Sequence, residues 1–497
     1  MPTRNNIFIF LAVFLCYFWA SIKGSDAATI YASSASFSDV SAAVASATYG
    51  DTVNVPAGSA NWGNNKLTIA KGIKLVGAGI NQTVITFGHS TGSGITYTPD
   101  STSLANNTPF EISGFTFDCT GCPNPETTYL MITVNNNSTT TTITNVKIHD
   151  NKFSNMHDTA IMVRCPAVYG VAYSNQFVDV GIPFRAIGYN YKSWDYWYNN
   201  FGYGNGNNFF FEDNTISFVS LYQATWGFIE VGQGGSTVVR YNTWDLANQR
   251  NNALFDMLDI HGNQGSNSDP TLNNWAGIGA EWYGNKVYND NKPPGYNSRL
   301  ISLRGGRNLV FYNDWTHAPG ISVYASTWDV DAEDRKDSYV TRHYCPGLPL
   351  GSCTECGIKP QHITNTYYWR NLHNGSEIEL KETADGCNVV NENSEYFKYN
   401  ASFDGSTGIG CGTLASRPAT CTTGVAYWAT NQSCSNLTGM VGKNPGTAIS
   451  GTLYKCTATN TWTPYYTPYT YPHPLRQEIG TNTANSPNPP TGLKIVQ

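Results

Sequence analysis

The segment Thr237-Val-Val-Arg-Tyr-Asn242 carries the pattern that decides the fold, an alternation of apolar residues that ends in asparagine. An apolar residue followed three positions later by Asn recurs along the middle of the chain, and most of the spacings are 24–29 residues. The asparagines of this pattern are Asn151, Asn175, Asn199, Asn214, Asn242, Asn285, Asn313, Asn371 and Asn400. A spacing of 15 residues indicates that either Asn199 or Asn214 lies outside the repeat. A period in this range predicts a solenoid, in which each repeat buries its apolar side against its neighbours.

The segments before these asparagines alternate as half-buried strands do, for example Val146-Lys-Ile-His149 and Arg307-Asn-Leu-Val-Phe-Tyr312. Asn suits a tight corner because it tolerates a left-handed backbone and because its amide can bond along a stack. Repeated units of strand, Asn and turn therefore predict a parallel β-helix. A large β-sandwich with Asn-rich turns is the alternative.

The N-terminal end supports the solenoid. Residues 38–45 predict a short helix with Ser38 at its N-cap, followed by Gly50-Asp-Thr-Val-Asn-Val-Pro-Ala-Gly58 and by Lys71-Gly-Ile-Lys-Leu-Val-Gly-Ala-Gly79. These stretches resemble the opening of the pectin-lyase-like superfamily of right-handed parallel β-helices, and the chain is similar to exported bacterial members of it. The resemblance covers residues 29–400 and implies an all-β fold with an N-terminal capping helix. It implies no single activity, because this fold carries lyases, hydrolases, phage tailspikes and adhesins.

The first residues have the order of an export signal. Arg4 precedes an apolar run from Ile7 to Ala20, and small residues stand at Ser25 and Ala27. This order predicts a signal peptide over residues 1–27 and a secreted, periplasmic or cell-surface protein. Because the run is shorter than the ~20 residues that span a bilayer, an uncleaved anchor is the weaker alternative, and no membrane span is expected after cleavage.

The composition narrows the function further. Only 13% of the residues are charged and the net charge is −6, whereas nucleic-acid binders need a basic surface, so no nucleic acid is expected as a partner. Hydrophobic residues make up 40% of the chain, which is enough for a large core.

The sequence divides into a β-helix over residues 28–400, a C-terminal cap over 401–475 and a flexible tail over 476–497. The cap is rich in Thr and aromatic residues and contains Cys411, Cys421, Cys434 and Cys456, which predict disulfide staples over the last coil. Cys119-Thr-Gly-Cys122 and Cys353-Thr-Glu-Cys356 have the spacing of a zinc site as an alternative, but an oxidising compartment favours disulfides.

A polar stripe on one face is the candidate site. Five segments align without gaps, around Ile161, Ile229, Leu258, Ile301 and Ile378. Alternate residues of each strand point outward, and in stacked strands they form columns whose successive members lie about 4.8 Å apart. The first outward column holds Met162, Glu230, Asp259, Ser302 and Glu379, and the second holds Arg164, Gly232, His261, Arg304 and Lys381.

Those columns have the chemistry of an enzyme that acts on acidic polysaccharides. Glu230 and Asp259 are candidate Ca²⁺ ligands, because Ca²⁺ prefers several oxygen donors. Arg304 and Lys381 are candidates to neutralise a uronate or to act as the base of a lyase, and His261 is a candidate acid or base. A hydrolase would use a pair of carboxylates instead. The alternative is that the stripe is an ordinary solvated surface.

Aromatic residues give a second indication of a sugar partner. Trp194, Trp197, Tyr222 and Trp226 are candidates to stack on sugar rings, with Arg164 as a further substrate-binding residue. The alternative is that half of the aromatic side chains fill the interior of the solenoid, since successive strand residues face opposite ways.

The leading hypothesis is an exported polysaccharide lyase or hydrolase whose partner is an extracellular, uronate-containing polymer. The chain lacks the Gly-His-Gly and Arg-Ile-Lys signatures of polygalacturonases and the Trp-Ile-Asp-His strand of pectate lyases, so no catalytic residue follows from the resemblance. The competing hypothesis is a non-catalytic, glycosylated cell-surface or filament protein that self-associates.

Overall fold

The three-dimensional structure is a computed structural model. It describes residues 27–88, 92–122, 129–135, 141–164, 168–188, 202–219, 227–232, 234–247, 255–261, 277–290, 297–317, 322–327, 363–382, 390–433, 435–436, 439–440, 442 and 448–477. The predicted signal peptide, apart from its last residue, and most of the predicted tail lie outside the described residues. Within the described part, no helix is long and apolar enough to cross a membrane.

The chain winds as a parallel β-helix with three faces, which we name A, B and C in the order in which each coil passes through them. Face A contains the strands Thr29–Tyr31, Thr52–Val55, Lys74–Gly77, Phe110–Ser113, Ile143–His149, Val168–Tyr173, Phe209–Glu212, Ser236–Arg240, Gly279–Tyr283, Arg307–Phe311, Thr366–Trp369 and Tyr396–Lys398. Each pairs in parallel with the strand of the next coil, so the β-helix prediction is confirmed and the sandwich alternative is wrong.

Faces B and C share two long strands, Lys152–Arg164 and Gln176–Ile187, which run through both. Face B also contains Gly58–Gly63, Thr83–Phe87, Phe115–Asp118, Thr215–Ser217, Thr243–Asp245, Lys286–Asp290, Asp314–His317 and Leu372–His373, which is followed by the antiparallel Ser376–Glu377. Face C also contains Leu67–Ile69, Gly92–Tyr97, Tyr129–Val134, Gly227–Gly232, Phe255–Ile260, Asn297–Leu303, Ser322–Thr327 and Glu379–Glu382.

A ladder of buried asparagines joins face A to face B. In each step the side-chain oxygen of one Asn accepts from the backbone N–H and the amide of the Asn one coil earlier, as Asn285 does from Asn242 at 3.0 Å for both bonds. The members are Asn151, Asn175, Asn214, Asn242, Asn285, Asn313 and Asn371. Asn199 lies outside the described residues. Thr366 pairs with Tyr396, and continuing this register sets Asn400 opposite Arg370 and not opposite Asn371. The predicted place of Asn400 in the repeat is therefore wrong.

The left-handed residue of each corner is the one before the ladder Asn, for example Asp150, Tyr241 and Tyr312 with φ of 51°, 59° and 54°. The expectation that the asparagine itself takes the left-handed conformation is therefore wrong. Asn supplies the amide that satisfies backbone groups in the buried corner, and its neighbour supplies the turn.

The helix Phe37–Ser46 covers the interior at the N-terminal end, as predicted, and buries Val40 and Val44 against the first coil. Its N-cap is Ser36 rather than Ser38, since the Ser36 side chain accepts from the N–H of Asp39 at 3.2 Å. A second helix, Ser101–Asn106, lies between faces C and A.

The C-terminal lobe (residues 401–477) packs along the outer side of face A and is not confined to the last coil. Its sheet contains Ile409–Gly412, Ala426–Ala429, Thr452–Ala458 and Thr461–Tyr466, with short 3₁₀ turns at Leu414–Ser416 and Pro474–Arg476. Trp428 packs against Phe311 and Trp369, both at 5.3 Å between ring centroids. The lobe therefore shields the outward apolar residues of face A over several coils.

Two disulfides join pairs of cysteines that both belong to the described residues. Cys421 and Cys456 are bonded within the lobe, which confirms the stapled cap, and Cys119 is bonded to Cys122. The zinc alternative is therefore wrong for Cys119 and Cys122, while Cys353 and Cys356 lie outside the described residues.

Candidate functional site

The candidate site is the outer side of face C, where four consecutive coils bring polar residues into register. Arg185 pairs with Glu230, Glu230 with Asp259, and Asp259 with Ser302, which places neighbours about one strand spacing, ~4.8 Å, apart. The three predicted residues of this column from Glu230 to Ser302 thus lie side by side.

His261 and Arg304 continue the neighbouring column. The His261 N–H donates to the carbonyl of Val231 at 2.7 Å, and the Arg304 N–H donates to that of Ile260 at 3.1 Å. Gly232 precedes them, and a Cβ built on it would lie 3.3 Å from the Cβ of His261. The two columns therefore meet around Asp259, His261 and Arg304.

Each carboxylate of the columns is bound to an arginine. Arg304 holds Asp259 through two nitrogens, with Nε 3.1 Å from Oδ1 and Nη2 in contact with Oδ2. Arg185 holds Glu230 at 2.8 Å and lies 3.6 Å from Asp158. Paired donors on a guanidinium make such contacts both strong and directional.

A third pair lies beside them. Arg299 binds Asp256, with Nη2 2.5 Å from Oδ2. Met257 and Leu258, which are both buried in the interior core, separate the two carboxyl groups on one strand. The side chains of Asp256 and Asp259 keep 14% and 13% of their surface exposed, so both are nearly desolvated but still reachable by a small group.

The two carboxyl groups differ in acidity. Burial raises the pKa of Asp256 to about 6 in spite of Arg299, and the charge of Asp259 adds to the rise. Burial would also raise the pKa of Asp259, but the charges of Arg304 and His261 outweigh it and hold that pKa below its usual range. Asp256 is therefore the weaker acid of the two and keeps its proton at mildly acidic pH, where Asp259 stays ionised.

The structure does not bring Lys381 into this cluster. Ser302 pairs with Ser326, and Ser326 with Lys381, so Lys381 lies two coils from Ser302 in the column of Asp259. The expected alignment of Ser302 with Glu379 and of Arg304 with Lys381 is wrong. The expected alignment passed over the strand Ser322–Thr327, which lies between the strands of Ser302 and Lys381, and it differs from the observed register by two residues. The Lys381 side chain is half exposed and lies 3.6 Å from Glu379.

Arg164 lies at the other end of the second column. It pairs with Ile187, which pairs with Gly232, and its Nη1 donates to the carbonyl of Gly188 at 3.4 Å. The aromatic candidates Trp194, Trp197, Tyr222 and Trp226 lie outside the described residues. In the sequence they belong to the two segments that adjoin the ends of Gln176–Ile187 and Gly227–Gly232.

The predicted calcium ligands lie close together but are already paired. Glu230 and Asp259 occupy neighbouring coils, but each carboxylate binds an arginine. Among the described residues, no group of three or more His, Cys, Asp or Glu side chains could hold a metal ion. Ca²⁺ needs several oxygen ligands, so the described residues do not fit a calcium site by themselves, and the Ca²⁺ prediction stays a prediction.

Sequence reasoning missed Arg185, Asp256, Arg299 and Asp158. A signal for two of them was present, because extending the gap-free alignment two residues toward the N-terminus aligns Asp256 with Arg299, and the structure pairs them. Arg185 carried no such signal, since its segment was not among those aligned.

Comparisons with known proteins assign the chain to no family. No protein-family model matches the chain, and no curated protein sequence matches it. Among solved structures, the chain is similar to the A-module of the mannuronan C-5 epimerase AlgE4 of Azotobacter vinelandii, with 14% sequence identity over 59% of this chain and 90% of that chain and a TM-score of 0.26. The parallel registers of the three faces, and not this likeness, establish the β-helix.

Proposed function

We propose that the chain is an exported polysaccharide-cleaving β-helix protein that binds an acidic polysaccharide along face C and transfers protons through Asp256 and Asp259. The observation that carries the proposal is the pair of nearly desolvated carboxyl groups on one strand, whose pKa values are shifted in opposite directions. Such a pair provides an acid and a base at one pH, which is what cleavage of a glycosidic bond requires.

Asp256 has the properties of the general acid. At mildly acidic pH it keeps a proton that it can donate to the oxygen of the leaving sugar. Asp259 stays ionised, and it can activate water or stabilise positive charge on the sugar ring. The hydrolytic assignment rests on this division of roles.

The arginines suit recognition better than proton abstraction. Asp259 binds Arg304 through two contacts and so stabilises the charged guanidinium, which is a poor base. A guanidinium fork is suited to the carboxylate of a uronate, and Arg185 offers a second one in the neighbouring column. His261, beside Arg304, is the remaining candidate for proton transfer if the bond is cleaved by elimination.

The test is activity on a panel of acidic polysaccharides. New reducing ends without unsaturated product support hydrolysis, and unsaturated product detected by ultraviolet absorbance supports a lyase. We expect Asp256→Asn to lose activity while keeping its fold, whereas Lys381→Ala keeps activity. Wild-type protein that produces neither product, and that instead assembles into fibres, would overturn the proposal in favour of a structural protein.

Chelation separates the arginine-based account from the Ca²⁺ prediction. We expect activity to survive a chelator, because the described residues balance Glu230 and Asp259 with arginines. Activity that is lost with the chelator and restored by Ca²⁺ would support the predicted calcium site.

A further inference from the structure

The C-terminal lobe contains a cavity that has no part in face C. Its volume is about 550 Å³, within the range of small-molecule sites. The cavity opens between the end of Ala426–Ala429, the start of Thr452–Ala458 and the turn at Leu414–Ser416. Its described lining residues are Thr413, Leu414, Ala429, Thr430, Asn431, Ser450, Gly451, Thr452, Tyr454 and Thr467.

The lining is uncharged and rich in hydroxyl groups. Five of these residues are Ser or Thr, one is Asn and one is Tyr, and the described lining contains no Asp, Glu, Lys, Arg or His. Leu414 adds an apolar contact, and half of its surface is exposed. A charged ligand would find no counter-ion in these walls, and a purely apolar ligand would leave the hydroxyl groups without partners.

The walls are fixed before any ligand arrives. Tyr427 donates from its hydroxyl to the carbonyl of Thr413 at 3.0 Å, and the hydroxyl groups of Thr452 and Thr467 lie 3.1 Å apart. The Arg417 guanidinium lies over the ring of Tyr454 at 4.4 Å. The disulfide Cys421–Cys456 ties the same sheet together. A preformed site loses little conformational entropy on binding.

We propose that this cavity, the hydroxyl pocket, binds an uncharged sugar unit of a polysaccharide. A sugar ring has a rim of hydroxyl groups that exchange hydrogen bonds with Ser, Thr and Asn and with the Tyr454 hydroxyl, and apolar C–H faces that pack on Leu414. The lobe covers face A, whereas the carboxyl pair lies on face C, so the pocket is a separate attachment site. The inference does not depend on the proposed function.

The test measures binding of neutral hexasaccharides of glucose, xylose, mannose and galactose to the full chain by calorimetry. Asn431→Ala removes an exposed amide, and Thr467→Val removes a hydroxyl at the rim without changing the size of the side chain. We expect each to weaken binding by about fivefold to tenfold, the effect of one hydrogen bond. Thr461→Val is the matched control, an exposed threonine of the same sheet outside the cavity, and it should bind as the wild type does.

Three results would overturn the inference: no binding of any of these sugars, undiminished binding by both pocket variants, or an equal loss in Thr461→Val. Asp256→Asn separates this inference from the proposed function. It should bind neutral sugars normally even though it cannot cleave acidic polymers, and pocket variants should cleave short soluble acidic substrates at the wild-type rate.

Discussion

Replacement of Asn242 by alanine tests the ladder that holds the coils together. The Asn242 side chain is buried and makes five hydrogen bonds, to the backbone and amide of Asn214, to the carbonyls of Phe211 and Arg240, and to the oxygen of Asn285. Alanine leaves the N–H of Asn214 without this acceptor in a corner closed to water. A buried group that loses its partner costs about 1–3 kcal/mol, and several are affected, so we expect a loss of about 3–5 kcal/mol.

The assay is urea unfolding of the full chain, and the matched control is Asn400→Ala. Asn400 is half-buried and lies off the ladder, where its oxygen accepts from the N–H of Ser402 at 2.9 Å and its amide donates to the carbonyl of Thr407 at 3.2 Å. We expect this control to lose about 1 kcal/mol or less. Equal losses in Asn242→Ala and Asn400→Ala would refute the reasoning that the ladder contributes more than an ordinary turn.

Three further predictions concern charged groups. Glu281 is buried against Gly204 and Tyr466, and burial raises its pKa to about 7. The folded protein therefore holds the proton more tightly than the unfolded chain, and this contribution to stability is lost as pH rises from about 4.5 through about 7. The free energy of unfolding of wild type, measured relative to Glu281→Gln, should fall by about 3 kcal/mol over that range, and a pH-independent difference would contradict the assignment. Arg240 and Glu212 form an ion pair with no exposed surface. Arg240→Met leaves the Glu212 charge buried without this partner, so it should lower the free energy of unfolding in urea by about 3–5 kcal/mol. A decrease below about 1 kcal/mol would show that the pair is not needed. Arg185→Ala should weaken binding of an acidic oligosaccharide in a salt-dependent way while sparing neutral sugars, and equal weakening of both would argue against carboxylate recognition.

The sequence predicted the winding of the chain because the corner chemistry repeats. Each ladder Asn must satisfy buried backbone groups of the adjacent coil, so the residue type recurs at the end of face A from Asn151 to Asn371. The gap-free alignment around Leu258 likewise predicted the columns of Glu230, Asp259, His261 and Arg304, because their strands stack without a register shift in that region.

The remaining features depend on packing that no local pattern records. The strand Ser322–Thr327, which the sequence pattern did not reveal, lies between Asn297–Leu303 and Glu379–Glu382, and its pairings set Lys381 in line with Ser302 instead of Arg304. Outward aromatic residues of face A, such as Phe311 and Trp369, resemble interior residues in the sequence because the C-terminal lobe buries them. The pKa of Asp256 depends on its burial and on three neighbouring charges, of which Arg299 and Arg304 come from the next coil.

The most direct test of the central claim compares wild type, Asp256→Asn and Asp259→Asn on the acidic polysaccharide that wild type cleaves best, across pH. Burial raises the pKa of Asp256 to about 6, so an acid at this position predicts a wild-type rate that falls as pH rises through about 6. Both variants should lose at least about a hundredfold in rate, the usual contribution of a general acid or base, while their unfolding curves stay cooperative. Wild-type rates in either folded variant would contradict the account and move the chemistry away from face C.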